Sequence, residues 1–280
     1  MIFTYLNDLD EIDKMADGMI VSLDRYSFNN SKLFTKDEIL SIKESTKKAV
    51  ILDISALYHD KEISELKIIL KDLKSLDFFL FQDFSLIEVF RELGIINKAI
   101  YAPETFITNH LDQEFFKDLG INKLLISREI TKDDILSILK NKGNTKYAYQ
   151  IFGYIMMFYS YRKHFTNYNL EYNLNLKLKN RFDLSLKEET RDEKYRVIED
   201  DISFRIYRDK IFDGYSLFRE TKDIDYLILN RIFIPNDLYF DTLALYKGEL
   251  DYSIYLSKYS DLFDSGFLYR EIGLLKGDVL

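Results

Sequence analysis

Arg128 and Glu129 stand side by side directly after the apolar run KLLIS at 123–127. An arginine in that position offers a planar guanidinium fork to a carboxylate or a phosphate, and the neighbouring glutamate is placed to orient it. The same two residues also suit an internal Arg–carboxylate pair that ties two loops together. Gln82 and Asp83 follow the run FFLF at 78–81 in a similar way. Asp83 either holds a substrate hydroxyl or caps a helix beginning near Ser85. With Glu104, these residues supply the carboxylates (Asp83, Glu104, Glu129) that could activate a water for hydrolysis. His59, in YHDKE, completes the set as a loop histidine that is either a ligand or a hydrogen-bonded structural group. Further along, Tyr159, Ser160 and Arg162 sit in a segment rich in aromatic and basic residues, with no base beside Ser160 in the sequence.

Other chemistries are excluded by what the chain lacks. Its 280 residues contain no cysteine, so disulfides, thiolate nucleophiles, Cys-ligated zinc and all-Cys iron–sulfur clusters are closed to it. His59, His110 and His164 have no metal-ligand spacing, and no metal site is expected. Glycine-rich phosphate loops, dinucleotide fingerprints and the G-x-S-x-G elbow are missing too. A formal net charge of −8 gives no general attraction to nucleic acid, although Tyr161, Arg162, Lys163 and His164, with Lys177, Lys179 and Arg181 downstream, form a local basic and aromatic strip. That strip either touches RNA or an acidic partner or is a solvated face. The opening residues MIFTYLNDLDEIDK read as a first strand rather than a signal peptide, and no stretch reaches the roughly 20 apolar residues of a membrane span. The expectation is a cytoplasmic protein with no membrane contact and no cofactor.

The elements that must carry these side chains alternate along the chain. Short β-branched or aromatic runs at 2–5, 19–23, 49–54, 78–81, 98–101, 123–126 and 147–152 are separated by stretches with helical spacing at 8–16, 35–47, 62–75, 85–93, 111–119 and 131–140. Parallel strands need such crossovers. Thr35 with Glu38 forms a capping-box pattern, and Gly94 and Gly120 stand where helices should stop. An eighth strand at 224–229 and a helix at 236–246 complete the pattern of a TIM-like (β/α)8 barrel of the α/β class. Residues 153–222, with alternating stretches such as YNLNLKLKN and DISFRIYRD, predict a β-rich insertion between strands 7 and 8. Only two prolines occur, at 103 and 235, and no flexible linker divides the chain, so residues 1–280 are expected to form one decorated barrel domain. Residues at the C-terminal ends of barrel strands converge on one face, which gathers Asp24, Arg25, Asp53, Ser55, His59, Gln82, Asp83, Glu104, Thr105, Arg128, Glu129, Tyr159, Ser160, Arg162, Asn230 and Arg231 as the candidate mouth.

Taken in order, GMIVSLDRYSFNN, FTKDEIL, ALYHDKEISEL, FQDFSLIEVFRELG, ISREIT, QIFGYIMMFYSYRKHFTNY and LSLKEETRDEKYRVIEDD resemble the collagenase-like peptidase family U32, from the first strand to about residue 230. The resemblance implies a barrel-like domain and a family that includes both proteins described as peptidases and proteins that hydroxylate tRNA or rRNA bases or the ubiquinone ring, some with prephenate as hydroxyl donor. Its signature implies a Glu, a Gly and two cysteines that bind an iron–sulfur cluster in the hydroxylases. This chain keeps Gly153, Tyr159, Ser160 and Arg162 of that pattern, but has Ala148 at the Glu, Met156 and Lys163 at the two cysteines, and Tyr161 at a Gly. A thioether and an ammonium cannot stand in for two thiolates. The resemblance therefore implies a short, cysteine-less member that acts as a non-cluster partner in RNA base hydroxylation, alongside a larger cysteine-bearing relative and reaching tRNA through it. A peptidase using a carboxylate-activated water, and a binder of small carboxylates at Arg128, are the alternatives.

Overall fold

The computed structural model describes residues 1–28, 32–190 and 192–270. Its first half repeats strand and crossover: β1 (Ile2–Tyr5), β2 (Gly18–Ser22), α1 (Lys36–Ser45), β3 (Ala49–Ile54), α2 (Asp60–Asp72), β4 (Phe78–Phe81), α3 (Leu86–Leu93), β5 (Ala99–Tyr101), α4 (Asp112–Asp118), β6 (Lys123–Leu125), α5 (Lys132–Lys140) and β7 (Lys146–Ser160). There follow α6 (His164–Glu171), β8 (Ser185–Lys187), β9 (Lys194–Glu199), β10 (Phe204–Asp213), α7 (Tyr215–Glu220), β11 (Tyr226–Leu229), α8 (Asn236–Lys247), α9 (Tyr252–Tyr259) and β12 (Phe263–Asp264). Strands β1 to β7 pair in sequence order, and β11 closes the ring by pairing in parallel with both β7 (Tyr226↔Ala148) and β1 (Ile2↔Leu227). Eight parallel strands and their surrounding helices form the TIM-like barrel that the alternation predicts.

Two apolar layers hold it. Phe3, Ile20, Ile51, Leu80, Ile100, Leu125, Ala148 and Ile228 fill the inside of the barrel, while a larger cluster, including Val21, Leu52, Phe79, Leu124, Ile135 and Leu229, lies outside the strands. Because side chains alternate along a strand, neighbours such as Ile51 and Leu52 serve opposite layers. Local chemistry sets the ends: Thr35 and Glu38 exchange the two hydrogen bonds of a capping box, as do Thr131 and Asp134. Gly94 ends α3 at a left-handed φ of 71°, a conformation that costs glycine little. Among the described residues, no helix is long and apolar enough to cross a membrane.

Two elements differ from the sequence expectation. The helix expected at 8–16 is a 3-10 helix at Leu9–Lys14, capped by Asp8, because residues 6–17 are barely enough for a parallel crossover. The seventh strand does not stop at 152. It runs on to Ser160, trading its barrel neighbours for β10, with Gly153 opposite Phe212 and Ser160 opposite Phe204 in antiparallel register. β9 and β8 extend that second sheet, and β12 adds to β10 in parallel. The inserted strands are therefore hydrogen-bonded outside the ring while sharing β7 with it. Gly153 makes the branch: its φ is 119°, and a Cβ there would lie 2.7 Å from the Asn230 carbonyl oxygen.

Candidate functional site

Two residues beyond the apolar layer inside the barrel, several strands turn polar at their C-terminal ends. Phe3 is followed by Tyr5, Ile20 by Ser22, Ile51 by Asp53, Ala148 by Gln150 and Ile228 by Asn230, and all five polar residues are buried. The Asp53 carboxylate accepts hydrogen bonds from the Tyr5 hydroxyl at 3.1 Å, Ser22 Oγ at 3.4 Å and the Ser55 N–H at 3.0 Å. Burial pushes the Asp53 carboxyl above its ordinary range, against the opposing pull of its hydrogen bonds from Ser55 and Tyr5. Burial, reinforced by the Asp53 charge, raises the Tyr5 hydroxyl well above its usual value.

Arg128 lies beside this group and is itself buried. Its Nη1 donates to Gln150 Oε1 at 2.6 Å, and its Nη2 forms an ion pair with Glu104. Burial lowers its pKa, while the nearby hydroxyls of Tyr207 and Tyr149 act in the other direction. The structure thus joins two of the candidate residues, Arg128 and Glu104, and does not bring Glu129 to them: Glu129 is exposed and its N–H donates to Ser127 Oγ at 3.2 Å. Asp83 accepts from Tyr58 N–H at 2.9 Å and from both the N–H and the hydroxyl of Ser85, at 2.9 and 2.6 Å, so its two oxygens fix the start of the α3 region. Gln82 is half-buried beside it.

The remaining candidates form a second group on the rim. The His59 ring stacks on Tyr161 at 5.6 Å, and Tyr159 packs between Tyr161 at 5.7 Å and Phe28 at 4.9 Å. Ser160 Oγ accepts the Arg162 N–H at 3.0 Å and lies 3.3 Å from His164 Nε2. The sequence shows no base next to Ser160; the turn into α6 brings one. Among the described residues, however, no carboxylate is hydrogen-bonded to His164 to orient it, and Ser160 Oγ is already an acceptor, so the pair lacks the third group of a nucleophilic triad.

Sequence reasoning missed the roof of the mouth. From β10, Tyr207 is buried and faces Phe233 at 5.2 Å, and Arg205 donates to the Phe28 carbonyl at 2.6 Å while pairing with Asp200. Period-2 alternation along β1 and β7 would have pointed Tyr5 and Gln150 inward; nothing local could have placed Tyr207 or Arg205, which arrive from a strand about two hundred residues after β1. A cleft of about 560 Å³ opens beside this roof, with Asp24, Arg25, Ser27, Phe182 and Asp200 among its walls.

Because the Asp53 carboxyl is held above its ordinary pKa in the folded protein, the folded state binds that proton more readily than the unfolded chain. The cost of its buried charge is absent below the ordinary value, grows as pH rises from there through the raised value, and is fully present above it. Asp53→Asn is expected to gain stability relative to wild type as pH rises from about 4 toward neutral. Urea unfolding of both proteins across that range measures it, and a difference that stays flat with pH would remove Asp53 as the source.

Met156 and Lys163 stand at the two positions that bear on an iron–sulfur cluster. Met156 is buried on β7 opposite Tyr207 of β10, and Lys163 Nζ donates to the Asp200 carbonyl at 2.8 Å. One side chain is a core thioether and the other an ammonium engaged with backbone. With no cysteine in the chain, this donor set does not fit an iron–sulfur cluster.

A curated relative, tRNA hydroxylation protein P2 of Bacillus subtilis (strain 168), is 25% identical over 195 residues, a match covering 66% of this chain and 62% of that protein. The chain thus spans somewhat less than two thirds of that relative's length. The family model described as Peptidase family U32 matches residues 10–204, a span that runs from the first crossover through the six barrel strands β2 to β7 to the start of β10. With the closed barrel, the retained Gly153 branch and that match together, the chain belongs to peptidase family U32.

Proposed function

We propose that this protein is a cluster-free accessory subunit in tRNA base hydroxylation, working in the cytoplasm beside a larger, cysteine-bearing relative. The observation that carries the reading is what occupies the cysteine positions: Met156 is packed into the second sheet and Lys163 is bonded to Asp200. Both positions serve the fold, while the barrel around them is retained. The similarity to a protein named for tRNA hydroxylation supplies the substrate class.

The peptidase alternative has less support. Glu104 is neutralised by Arg128, both oxygens of Asp83 accept hydrogen bonds, and Glu129 is exposed and apart from them; none is poised to hold a water as general base. The small-carboxylate alternative meets a guanidinium whose two terminal nitrogens already have partners, so an incoming acid would have to displace Glu104.

Deleting the gene and analysing the nucleosides of total tRNA tests the proposal. Loss or a several-fold fall of a hydroxylated base is expected, restored by the wild-type gene. An unchanged nucleoside profile in the deletion strain would refute it.

A further inference from the structure

Helix α6 has no buried residue. A helix this short is not stable alone in water and ordinarily depends on an apolar face packed into a core. Here it is held by its first turn instead: buried Glu199 accepts the N–H groups of Phe165 at 2.7 Å and Thr166 at 3.0 Å, together with the Thr166 hydroxyl at 2.5 Å. Those are donors that a helix start leaves open, and the carboxylate complements the helix dipole as well. Phe165 and His164 add ring contacts to Phe204 at 5.0 and 4.8 Å, while other rings of this segment face outward. Tyr168 and Tyr172 are 52% and 62% exposed and lie against each other at 4.8 Å, and Tyr161, also exposed, stacks on His59.

The segment that carries these rings is rich in cations, and the carboxylates of Asp183, Glu199 and Asp201 bond to it. Residues 157–182 contain five Lys or Arg and a single acidic residue, Glu171, in a chain whose net charge is −8. Lys179 and Arg181 pair with Asp201 and Asp183 on the surface, where such pairs hold weakly, while Arg162 and Lys177 form no ion pair among the described residues. Between α6 and residues 176–179 a cleft of about 230 Å³ is lined by Phe165, Asn169, Lys177, Lys179 and the carboxylate-bearing Glu199. The Asn169 amide donates to the Leu176 carbonyl at 2.7 Å, and its own oxygen is buried without a hydrogen-bond partner.

We infer that this face binds single-stranded RNA directly, with bases stacked on Tyr168 and Tyr172 and phosphates on Arg162 and Lys177. Exposed aromatics interleaved with cations are the recognition chemistry of unpaired nucleotides, whose faces stack and whose backbone seeks positive charge. A protein partner would have to be acidic to suit the same face. The choice of RNA as the polyanion rests on the tRNA reading above; the surface itself does not.

The purified full chain, titrated at low salt against a labelled oligoadenylate, a labelled RNA hairpin with an open loop and a blunt RNA duplex, decides the matter. Binding to the first two and weaker binding to the duplex are expected. Tyr168→Ala with Tyr172→Ala should weaken binding by at least about 30-fold, since each of the two stacked bases contributes on the order of 1–3 kcal/mol, while the paired Tyr→Phe substitutions keep it. Arg162→Ala and Lys177→Ala should each lower the slope of log K against log salt by about 0.7. Unchanged thermal unfolding of these surface variants shows that the fold is intact. Absence of RNA binding by the wild type at low salt, or an unaltered affinity in the double alanine variant, would overturn the inference, as would a variant that loses a protein partner while keeping its RNA affinity. Because the binding measurement uses the isolated chain, it can fail while the deletion phenotype stands, and the reverse.

Discussion

Arg231→Ala is expected to cost about 3–5 kcal/mol, the loss that follows when one partner of a buried ion pair is removed and the other is left charged and desolvated. Arg231 is fully buried just beyond β11, and Glu11, 9% exposed at its side chain, reaches it from the 3-10 helix between β1 and β2. The contact is bidentate, with Nη2 2.8 Å from Glu11 Oε1; Nη2 also donates to Asn236 Oδ1 at 2.7 Å, and the guanidinium carbon lies 4.5 Å from the Tyr239 ring centre. This arrangement clamps the last barrel strand to the first crossover across the seam where the ring closes. Since native stability is on the order of 5–15 kcal/mol, the substitution should leave little margin in urea unfolding. Glu11→Gln with Arg231→Met, which removes both charges and keeps volume, should recover much of the loss. A single-substitution loss below about 1 kcal/mol would mean the pair is no stronger than an exposed one.

Gly153→Ala should be nearly as damaging for a different reason. The φ of 119° is a region that L-residues rarely adopt, and the added Cβ would lie 2.7 Å from Asn230 O and 2.8 Å from Asn230 Cβ. Backbone strain of about 1–3 kcal/mol adds to overpacking of similar size, so a loss of roughly 2–6 kcal/mol is expected. The damage should centre where β7 leaves the ring for β10. Calorimetric unfolding measures the loss, and limited proteolysis should show earlier cleavage within residues 161–193. A variant as stable as wild type, with the same cleavage pattern, would show that the branch tolerates a side chain.

The barrel was legible in the sequence because each strand and crossover announces itself locally. The runs at 2–5, 49–54 and 78–81 coincide with β1, β3 and β4, and the helix expected at 131–140 begins one residue later, after its Thr131 cap. Where meaning depends on distant partners, sequence reasoning fell short. The second half of β7 falls at the start of the expected β-rich insertion, and nothing in it shows that it continues the seventh strand until its partner, β10, is known. α6 gives no amphipathic signal because it buries nothing, and the capping carboxylate, Glu199, lies more than thirty residues away. Arg128 shows the same limit: its neighbour Glu129 was the visible partner, whereas the structure pairs it with Glu104 from the preceding loop and Gln150 from the following strand.

Ring closure by β11 has a consequence for how the chain comes off the ribosome. The seven consecutive strands can assemble once residue 152 has emerged, but β1 and β7 each keep an unpaired edge until residues 226–229 arrive. At roughly 5–20 residues per second that wait lasts about 4–15 s, far longer than a strand pair needs to form. During it, β10 can already occupy the outer half of β7 and the excursion can cover part of the gap. The insertion that decorates the finished barrel is thus synthesised at the moment when the nascent sheet has two open edges, which are what neighbouring chains would otherwise find.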